Sequence, residues 1–337
     1  MKEYDVVIIG GGPAGLTTLR YLSSSYHSLL IEKENKNYIK PCGGLFAEET
    51  ISFLNDKEIA IPDKIFSKPS KPSQIYLDIN NEEKIESSKL LNINRKQFKS
   101  WLINKVTKNK IKYKTKLIGI ESINKFSILK LKNNGNIYKI KTKFLIDASG
   151  AYSKIKKHFN ETKRYYTGIQ IKLKMNYNLK KVYFIYNNKI TDYYIWLIPK
   201  INHTILGFGL KNNNFKKKYK KLKDIIEKHF GNFKKMGVTA HKITCPGEND
   251  IFLGKKNIFT IGEAAGLISP SSGEGISYAF KSGYYCAKSL NENKNEALDK
   301  YKKYIKEEKE SINKKIRKRK ILKNVFKRKK YFEKKLR

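Results

Sequence analysis

Apolar positions in this chain fall into unbroken runs near the N-terminus and into alternating, tyrosine-rich stretches further on. Val6-Val7-Ile8-Ile9 is a continuous apolar run, as expected of a strand buried on both faces in a parallel sheet. Gly10-Gly11-Gly12-Pro13-Ala14-Gly15 follows, and Leu16, Leu19 and Leu22 then mark one face of a helix. Ser28-Leu29-Leu30-Ile31 predicts a second strand, closed by Glu32. The three pieces make a βαβ unit. A later helix opens at Arg95, with Phe98, Trp101, Leu102 and Val106 as its apolar face, Asn94 as its cap and Gln97 three residues on. Two further strands run into turns of small residues. Lys143-Phe144-Leu145-Ile146 leads to Asp147-Ala148-Ser149-Gly150, and Asn257-Ile258-Phe259-Thr260-Ile261 leads to Gly262-Glu263-Ala264-Ala265-Gly266. Past a turn that includes Gly273 and Gly275, a helix is predicted from Ile276.

Between residues 161 and 245 the pattern changes. Tyr183, Phe184, Tyr186, Tyr193, Tyr194 and Trp196 cluster there, and Tyr194-Ile195-Trp196-Leu197-Ile198 alternates with period two. That predicts an antiparallel sheet, with one amphipathic helix over 224–233. No repeat or low-complexity linker interrupts the chain.

Composition narrows the class. The 337 residues allow one large domain or two medium ones. No run of roughly 18 apolar residues is present, so no membrane-spanning helix is expected, and the first strand begins too early for a signal peptide. Cys42, Cys245 and Cys286 suit neither a disulfide framework nor a CxxC zinc site, and the five histidines lack metal-ligand spacing. No metal site is expected, and the location expected is cytoplasmic. The net charge is 72 − 30 = +42, which attracts polyanions. The same bias toward Lys, Asn, Ile and Tyr also follows from an A- and T-rich coding sequence. Residues 299–337 are denser, with 19 Lys/Arg and 5 Asp/Glu. They read either as a basic amphipathic helix for the anionic inner face of a membrane or as a terminal helix docked by its few apolar residues, Ile305, Ile312, Ile316, Val325, Phe326 and Phe332.

The chemistry starts at the glycines. Gly10, Gly12 and Gly15 have the G-x-G-x-x-G spacing of a dinucleotide loop, in which glycines serve the tight turn, the approach to a pyrophosphate and the packing of helix on strand. The helix beginning at Pro13-Ala14 offers free N–H groups and a positive dipole to phosphates. Glu32 stands about 20 residues on, where a carboxylate binds a ribose diol.

The order of these motifs, a helix-opening Arg, a D-A-S-G turn and a late G-[DE]-A-A-G turn behind the glycine loop, resembles flavoproteins of the para-hydroxybenzoate hydroxylase fold. Lys40-Pro41-Cys42-Gly43-Gly44 and Tyr194-Ile195-Trp196-Leu197-Ile198-Pro199-Lys200 look, more narrowly, like the geranylgeranyl reductase family. The resemblance spans residues 6 to about 285 and implies a Rossmann-like α/β FAD-binding domain (1–72, 92–160 and 246–298), a smaller antiparallel-sheet substrate domain (73–91 and 161–245) and a basic helical tail (299–337). It places the pyrophosphate of FAD at residues 10–15 and the adenosine ribose at Glu32 and Lys33. Arg95, Asp147 with Gly150, and Gly262 with Glu263 would lie along the rest of the cofactor; Glu263 replaces the usual Asp. Gly273, Gly275 and Ile276 would face the N1/O2 edge of the flavin. Lys40, Gly43 and Gly44 would pass beside the isoalloxazine, with Cys42 as the candidate catalytic residue. Tyr194, Trp196 and Pro199 would line the substrate pocket.

The activity so implied is reduction of carbon–carbon double bonds in an isoprenoid or prenyl lipid, with NAD(P)H or a ferredoxin-type protein as electron donor. Two rivals stand beside it: a flavin monooxygenase or halogenase of the same fold, and a flavoprotein that holds nucleic acid on its basic surface. No RNA-binding motif accompanies the second, so no specific nucleic acid is expected.

Overall fold

The computed structural model describes every residue except 79–82, 88–89, 107–109, 124, 162–163, 212–213 and 337; part of the predicted 73–91 segment therefore lies outside the described residues. The chain divides into two units. The first comprises Met1–Ile39, Phe98–Arg164 and Thr244–Ile316; the second comprises Lys40–Gln97, Tyr165–Ile243 and Arg317–Arg337.

The first unit is built on an eight-stranded sheet. Along its main path the order is Gly254–Lys255, Ile258–Thr260, Asn136–Asp147, Lys2–Ile9, Ser28–Ile31 and Ile111–Lys112. The apolar runs read from the sequence are its central parallel strands, and Val6, Val7 and Ile8 are fully buried. Register aligns their ends: Ile9 pairs with Ile31 and with Asp147, and Asp147 with Thr260. All three predicted turns therefore leave from one carboxyl edge, where open α/β sheets bind ligands. Helices Pro13–Tyr21 and Ile276–Glu292 pack closely, because a Cβ on Gly283 would come within 2.5 Å of the Ala14 carbonyl.

The second unit carries a seven-stranded sheet in the order Phe233–Thr244, Tyr165–Met175, Thr204–Leu210, Ile195–Pro199, Val182–Tyr186, Gln74–Asp78, Glu83–Ser87. Tyr165–Met175, Thr204–Leu210, Ile195–Pro199 and Val182–Tyr186 pair antiparallel as expected, as do Gln74–Asp78 and Glu83–Ser87, but Val182–Tyr186 runs parallel to Gln74–Asp78. Alternation divides its faces. Ile195, Leu197, Leu206 and Phe208 pack with Leu222, Ile226 and Phe230 of a helix, while Tyr186, Tyr194, Trp196 and Ile198 gather on the other face. That helix runs Phe215–Phe230, not 224–233. Its first turns hold lysines that give no apolar period, and Gly231, at φ 72°, ends it before strand Phe233–Thr244.

The tail is not one free amphipathic helix. It forms Ala297–Tyr304, Lys306–Lys323 and Val325–Leu336. Ile305, Ile312, Ile316 and Phe332 are buried, and of the predicted apolar stripe only Phe326 is largely exposed, at 82%. In the first unit Tyr301 donates its hydroxyl to the Thr260 carbonyl (3.0 Å) and Glu308 pairs with Lys281 (3.0 Å). In the second, Leu322 and Phe332 join the aromatic face of the sheet. Arg328 there is fully buried, with its Nε 2.6 Å from Asp78 Oδ2. The docked reading of the tail thus holds, because its apolar side chains are spent on the protein's own core. Among the described residues no helix is long and apolar enough to cross a membrane.

Candidate active site

In the first unit the site is built by the turns at the carboxyl edge. The first strand ends at Gly10, whose N–H donates to the Ile31 carbonyl (2.8 Å) while Ala148 N–H donates to the Ile9 carbonyl (2.8 Å). A Cβ on Gly15 would lie 2.0 Å from the Gly10 carbonyl oxygen and 3.2 Å from Ala148 Cβ, so only glycine lets the helix come this near the strand. Gly12 is different: a Cβ there would meet nothing within 4 Å. Gly12 caps helix Pro13–Tyr21 without any side-chain hydrogen bond, Pro13 opens it, and its first turn has no acid. The helix therefore presents an open cradle of backbone N–H groups to an anion.

Glu32 closes the cradle from the next strand. Its Oε2 accepts from Gly11 N–H at 2.6 Å and its Oε1 from Glu34 N–H at 2.9 Å. Lys33 lies over the Tyr152 ring, 4.9 Å from its centroid. Asp147 is buried and organises its own turn, accepting from Ser149 N–H at 3.0 Å and from the hydroxyls of Ser149 and Ser153. Gly150 follows at φ 70°. Glu263 reaches back to Thr244, whose N–H donates to Oε1 at 2.9 Å, a contact that uses the extra methylene; Gly262 N–H donates to Ser282 Oγ at 2.9 Å. Gly273 N–H bonds the Ser269 carbonyl, and Gly275 caps helix Ile276–Glu292. Glu274 takes the Ser277 N–H at 2.8 Å, so a carboxylate already meets part of that helix's positive end.

The second unit brings together the two segments that carry the narrower resemblance. Lys40 is exposed; Cys42 is a half-buried free thiol. Gly44 is buried at φ 69°, and a Cβ there would come within 2.8 Å of the Ile93 carbonyl and 3.0 Å of Lys200 Nζ. Gly43 packs on Ile198, whose Cδ1 a Cβ would meet at 2.6 Å. Lys200, beyond Pro199, donates to Asn92 Oδ1 (2.5 Å), the Gly44 carbonyl (3.1 Å) and the Ile93 carbonyl (3.1 Å). Asn92 in turn donates to the Pro199 carbonyl (2.8 Å). Burial lowers the Lys200 ammonium to a pKa of about 7, with Cys42 opposing the shift and Arg95 adding to it. Arg95 is half-buried in the first turn of helix Arg95–Asn104, and the Asn94 carboxamide caps that helix by accepting from Lys96 and Gln97 N–H at 3.0 and 3.2 Å. Val106 lies beyond the end of that helix.

Tyr194 and Trp196 sit in the aromatic cluster with Tyr76, Phe184, Tyr186 and Phe332. Burial raises the Tyr194 phenol well above its ordinary range, so it stays neutral. The Trp196 ring lies against Gly207, and its indole N–H is buried with no hydrogen-bond partner. Asn92 carries no mark in the sequence, and Phe332 was legible there only as a docking residue of the tail, not as a neighbour of Tyr194 and Trp196. Lys200 was visible only as the last letter of its motif.

A family profile described as an FAD binding domain matches residues 3–317. The chain belongs to that FAD-binding family. Protein CbrA of Escherichia coli O9:H4 (strain HS) is 31% identical over 296 residues, covering 84% of this chain and 80% of that protein. A geranylgeranyl bacteriochlorophyll reductase-like protein from Thermoplasma acidophilum superposes with a TM-score of 0.85 at 21% identity, over 96% of this chain and 89% of that one. The p-nitrophenol 4-monooxygenase PnpA of Pseudomonas putida superposes with a TM-score of 0.76 at 14% identity, over 99% and 93%. The FAD-binding family membership makes FAD the cofactor and the chain an FAD-dependent oxidoreductase, and the fold read from the sequence is the fold observed.

The open space at Gly12, the uncapped helix start and the Glu32 carboxylate fit such a cofactor: residues 10–15 would hold its pyrophosphate and Glu32 its ribose. Glu32→Ala removes a charge-assisted bond of about 1.5–3 kcal/mol. Titration of the apoprotein with FAD should show affinity weakened about 10- to 100-fold; an unchanged Kd would take Glu32 out of the cofactor site.

Proposed function

We propose that this flavoprotein reduces carbon–carbon double bonds of an isoprenoid or prenyl lipid. The observation that carries the reading is the meeting, in one unit, of the Lys40-Pro41-Cys42-Gly43-Gly44 turn with the end of strand Ile195–Pro199, through the bonds of Lys200 and Asn92. Two motifs far apart in sequence form one structure, which is what a shared role requires. The reductase-like description of the Thermoplasma protein supports the same substrate class. FAD held at residues 10–15 and Glu32, and reduced by NAD(P)H or a ferredoxin-type protein, would supply the hydride for one alkene carbon. Cys42 gives or relays the proton that reaches the other, and water restores it. Tyr194 and Trp196, neutral and buried beneath Leu322 and Phe332, would form an apolar wall behind the substrate, which suits a carbon that develops positive character.

The test is anaerobic. The flavin is photoreduced, geranylgeranyl diphosphate or a prenylated lipid is added, and the visible flavin absorbance is followed. Return of the oxidised spectrum with a more saturated product supports the reductase. In the Cys42→Ser variant FAD should stay bound while turnover falls by the order of 10²-fold; a wild-type rate there would leave Cys42 without a chemical role. If colour returns only with oxygen, and an oxygenated product forms, the monooxygenase reading takes over, a reading that the fold shared with PnpA favours.

A further inference from the structure

The Lys200 ammonium is held by three acceptors, and all three are neutral: the Gly44 and Ile93 carbonyls and the Asn92 carboxamide oxygen. Among the described residues no carboxylate bonds it. The titratable and charged groups that bear on it are Cys42, on the turn it holds, Arg95, a second cation at the start of helix Arg95–Asn104, and His203, across the hairpin from it. His203 is pushed down by its own burial, with Lys172 and Lys200 adding to the shift. The Lys200 backbone N–H bonds the His203 carbonyl at 2.7 Å, which fixes the base of the side chain. At its tip, Nζ touches the turn at Gly44 and the short strand Leu91–Asn92, which pairs with Leu45–Phe46. Ile93 N–H closes the ring by donating to the Gly44 carbonyl at 2.9 Å. Lys200, with Asn92, thus ties the Cys42 turn, its partner strand and the end of strand Ile195–Pro199 into a single knot.

We propose that Lys200 is the positioning residue of the Cys42-Gly43-Gly44 turn, and that opening of the turn is coupled to uptake of a proton by Lys200. The physical reason is desolvation. Closed, the half-buried side chain must carry its charge among neutral acceptors beside Arg95 with much of its hydration removed; open, the ammonium is fully hydrated. The sign follows from linkage. The closed-state pKa is about 7 and the ordinary value 10.5, so the open state binds more protons between them. The turn is weakest at and below neutrality and tightens as pH rises through that window, by up to about tenfold per pH unit. For catalysis the proposal rests on the reading that this turn serves the reduction.

Hydrogen exchange read by mass spectrometry tests it without substrate. Peptides covering residues 40–46 and 91–94 are followed from about pH 7 to about pH 9, corrected for the intrinsic pH dependence of exchange, with strand Lys2–Ile9 as the internal control. In the wild type the corrected protection of the two segments should rise about tenfold per unit while the control stays flat. In Lys200→Met the rise should vanish. Asn92→Asp places an anion where the carboxamide oxygen accepts from Nζ; it raises the lysine's closed-state pKa, so the rise should begin at higher pH. A flat wild-type profile, or a rise that survives in Lys200→Met, overturns the proposal. Should Lys200→Met fail to fold, a rise in Asn92→Asp that starts at the wild-type pH overturns it equally. The outcome is separate from the reaction. A proton-linked turn in a protein that leaves every prenyl substrate untouched would sink the reductase reading and keep the positioning role.

Discussion

Gly12→Val should yield a stable protein that cannot hold FAD, whereas Gly15→Val should be strongly destabilised. A Cβ at Gly12 meets nothing within 4 Å, and its φ of −78° is open to any residue. The cost to the apoprotein is that of a poorer helix cap, about 1 kcal/mol. The valine methyls then occupy the volume above the uncapped helix start, where a pyrophosphate must approach within hydrogen-bonding distance of the backbone. At Gly15 the added carbon would stand 2.0 Å from the Gly10 carbonyl oxygen and 3.2 Å from both Ala148 Cβ and Ile8 Cγ2. Backbone would have to move against backbone in the middle of the sheet edge, and such overpacking costs about 1–3 kcal/mol or more. Thermal melting of the apoproteins and FAD titration separate the two effects. Full flavin occupancy in Gly12→Val would contradict the cradle, and a Gly15→Val protein with normal melting would contradict the packing.

Removing one partner of the Asp78–Arg328 pair should be the most damaging change in the second unit. Both side chains are fully inaccessible, and Nε and Oδ2 lie 2.6 Å apart. The guanidinium also donates to Asn188 Oδ1 at 3.1 Å and to the Leu322 carbonyl at 2.9 Å, and lies over the Tyr186 ring. Asp78→Ala leaves that cation buried without its counter-charge, a loss of about 3–5 kcal/mol. Substitution of both residues by apolar ones of similar volume, Asp78→Leu with Arg328→Met, should recover much of it, because neither charge then has to leave water. Urea unfolding followed by intrinsic fluorescence measures both. An Asp78→Ala variant within about 1 kcal/mol of the wild type would show that the pair behaves like a surface ion pair.

The parts of the fold legible in the sequence are those in which local pattern and tertiary environment agree. Val6-Val7-Ile8-Ile9 is apolar at every position because it is covered on both faces, and the glycines after it are spaced by the turn they make. Tyr194 to Ile198 alternates because one face of its sheet packs on Leu222 and Ile226 and the other on Phe332 and Leu322. Other features were hidden for physical reasons. Helix Phe215–Phe230 begins in a run of lysines whose helical state depends on Leu222, Ile226 and Phe230 further along. Arg328 looks like one more surface cation in a basic tail; only Asp78, 250 residues away, makes it a core residue. Asn92 carries no signal at all, since its importance lies in two bonds, to Lys200 and to Pro199. The glycine loop and Glu32 announced themselves by spacing and the Cys42 turn by its family resemblance, while the groups that fix them in place did not.

The docking of Leu322 and Phe332 onto the aromatic sheet face also sets an order of events at the ribosome. All strands of the second unit's sheet end by Thr244, yet residues 317–337, which cover Tyr186, Tyr194 and Trp196 and neutralise Asp78, are translated after the whole of the first unit. At about 5–20 residues per second the nascent sheet waits several seconds with a wet aromatic surface and with Asp78 lacking its Arg328 counter-charge. During that interval its exposed apolar surface is open to non-native association. A messenger truncated before codon 317 would release a chain whose nucleotide-binding half is fully encoded and whose second half is left adhesive.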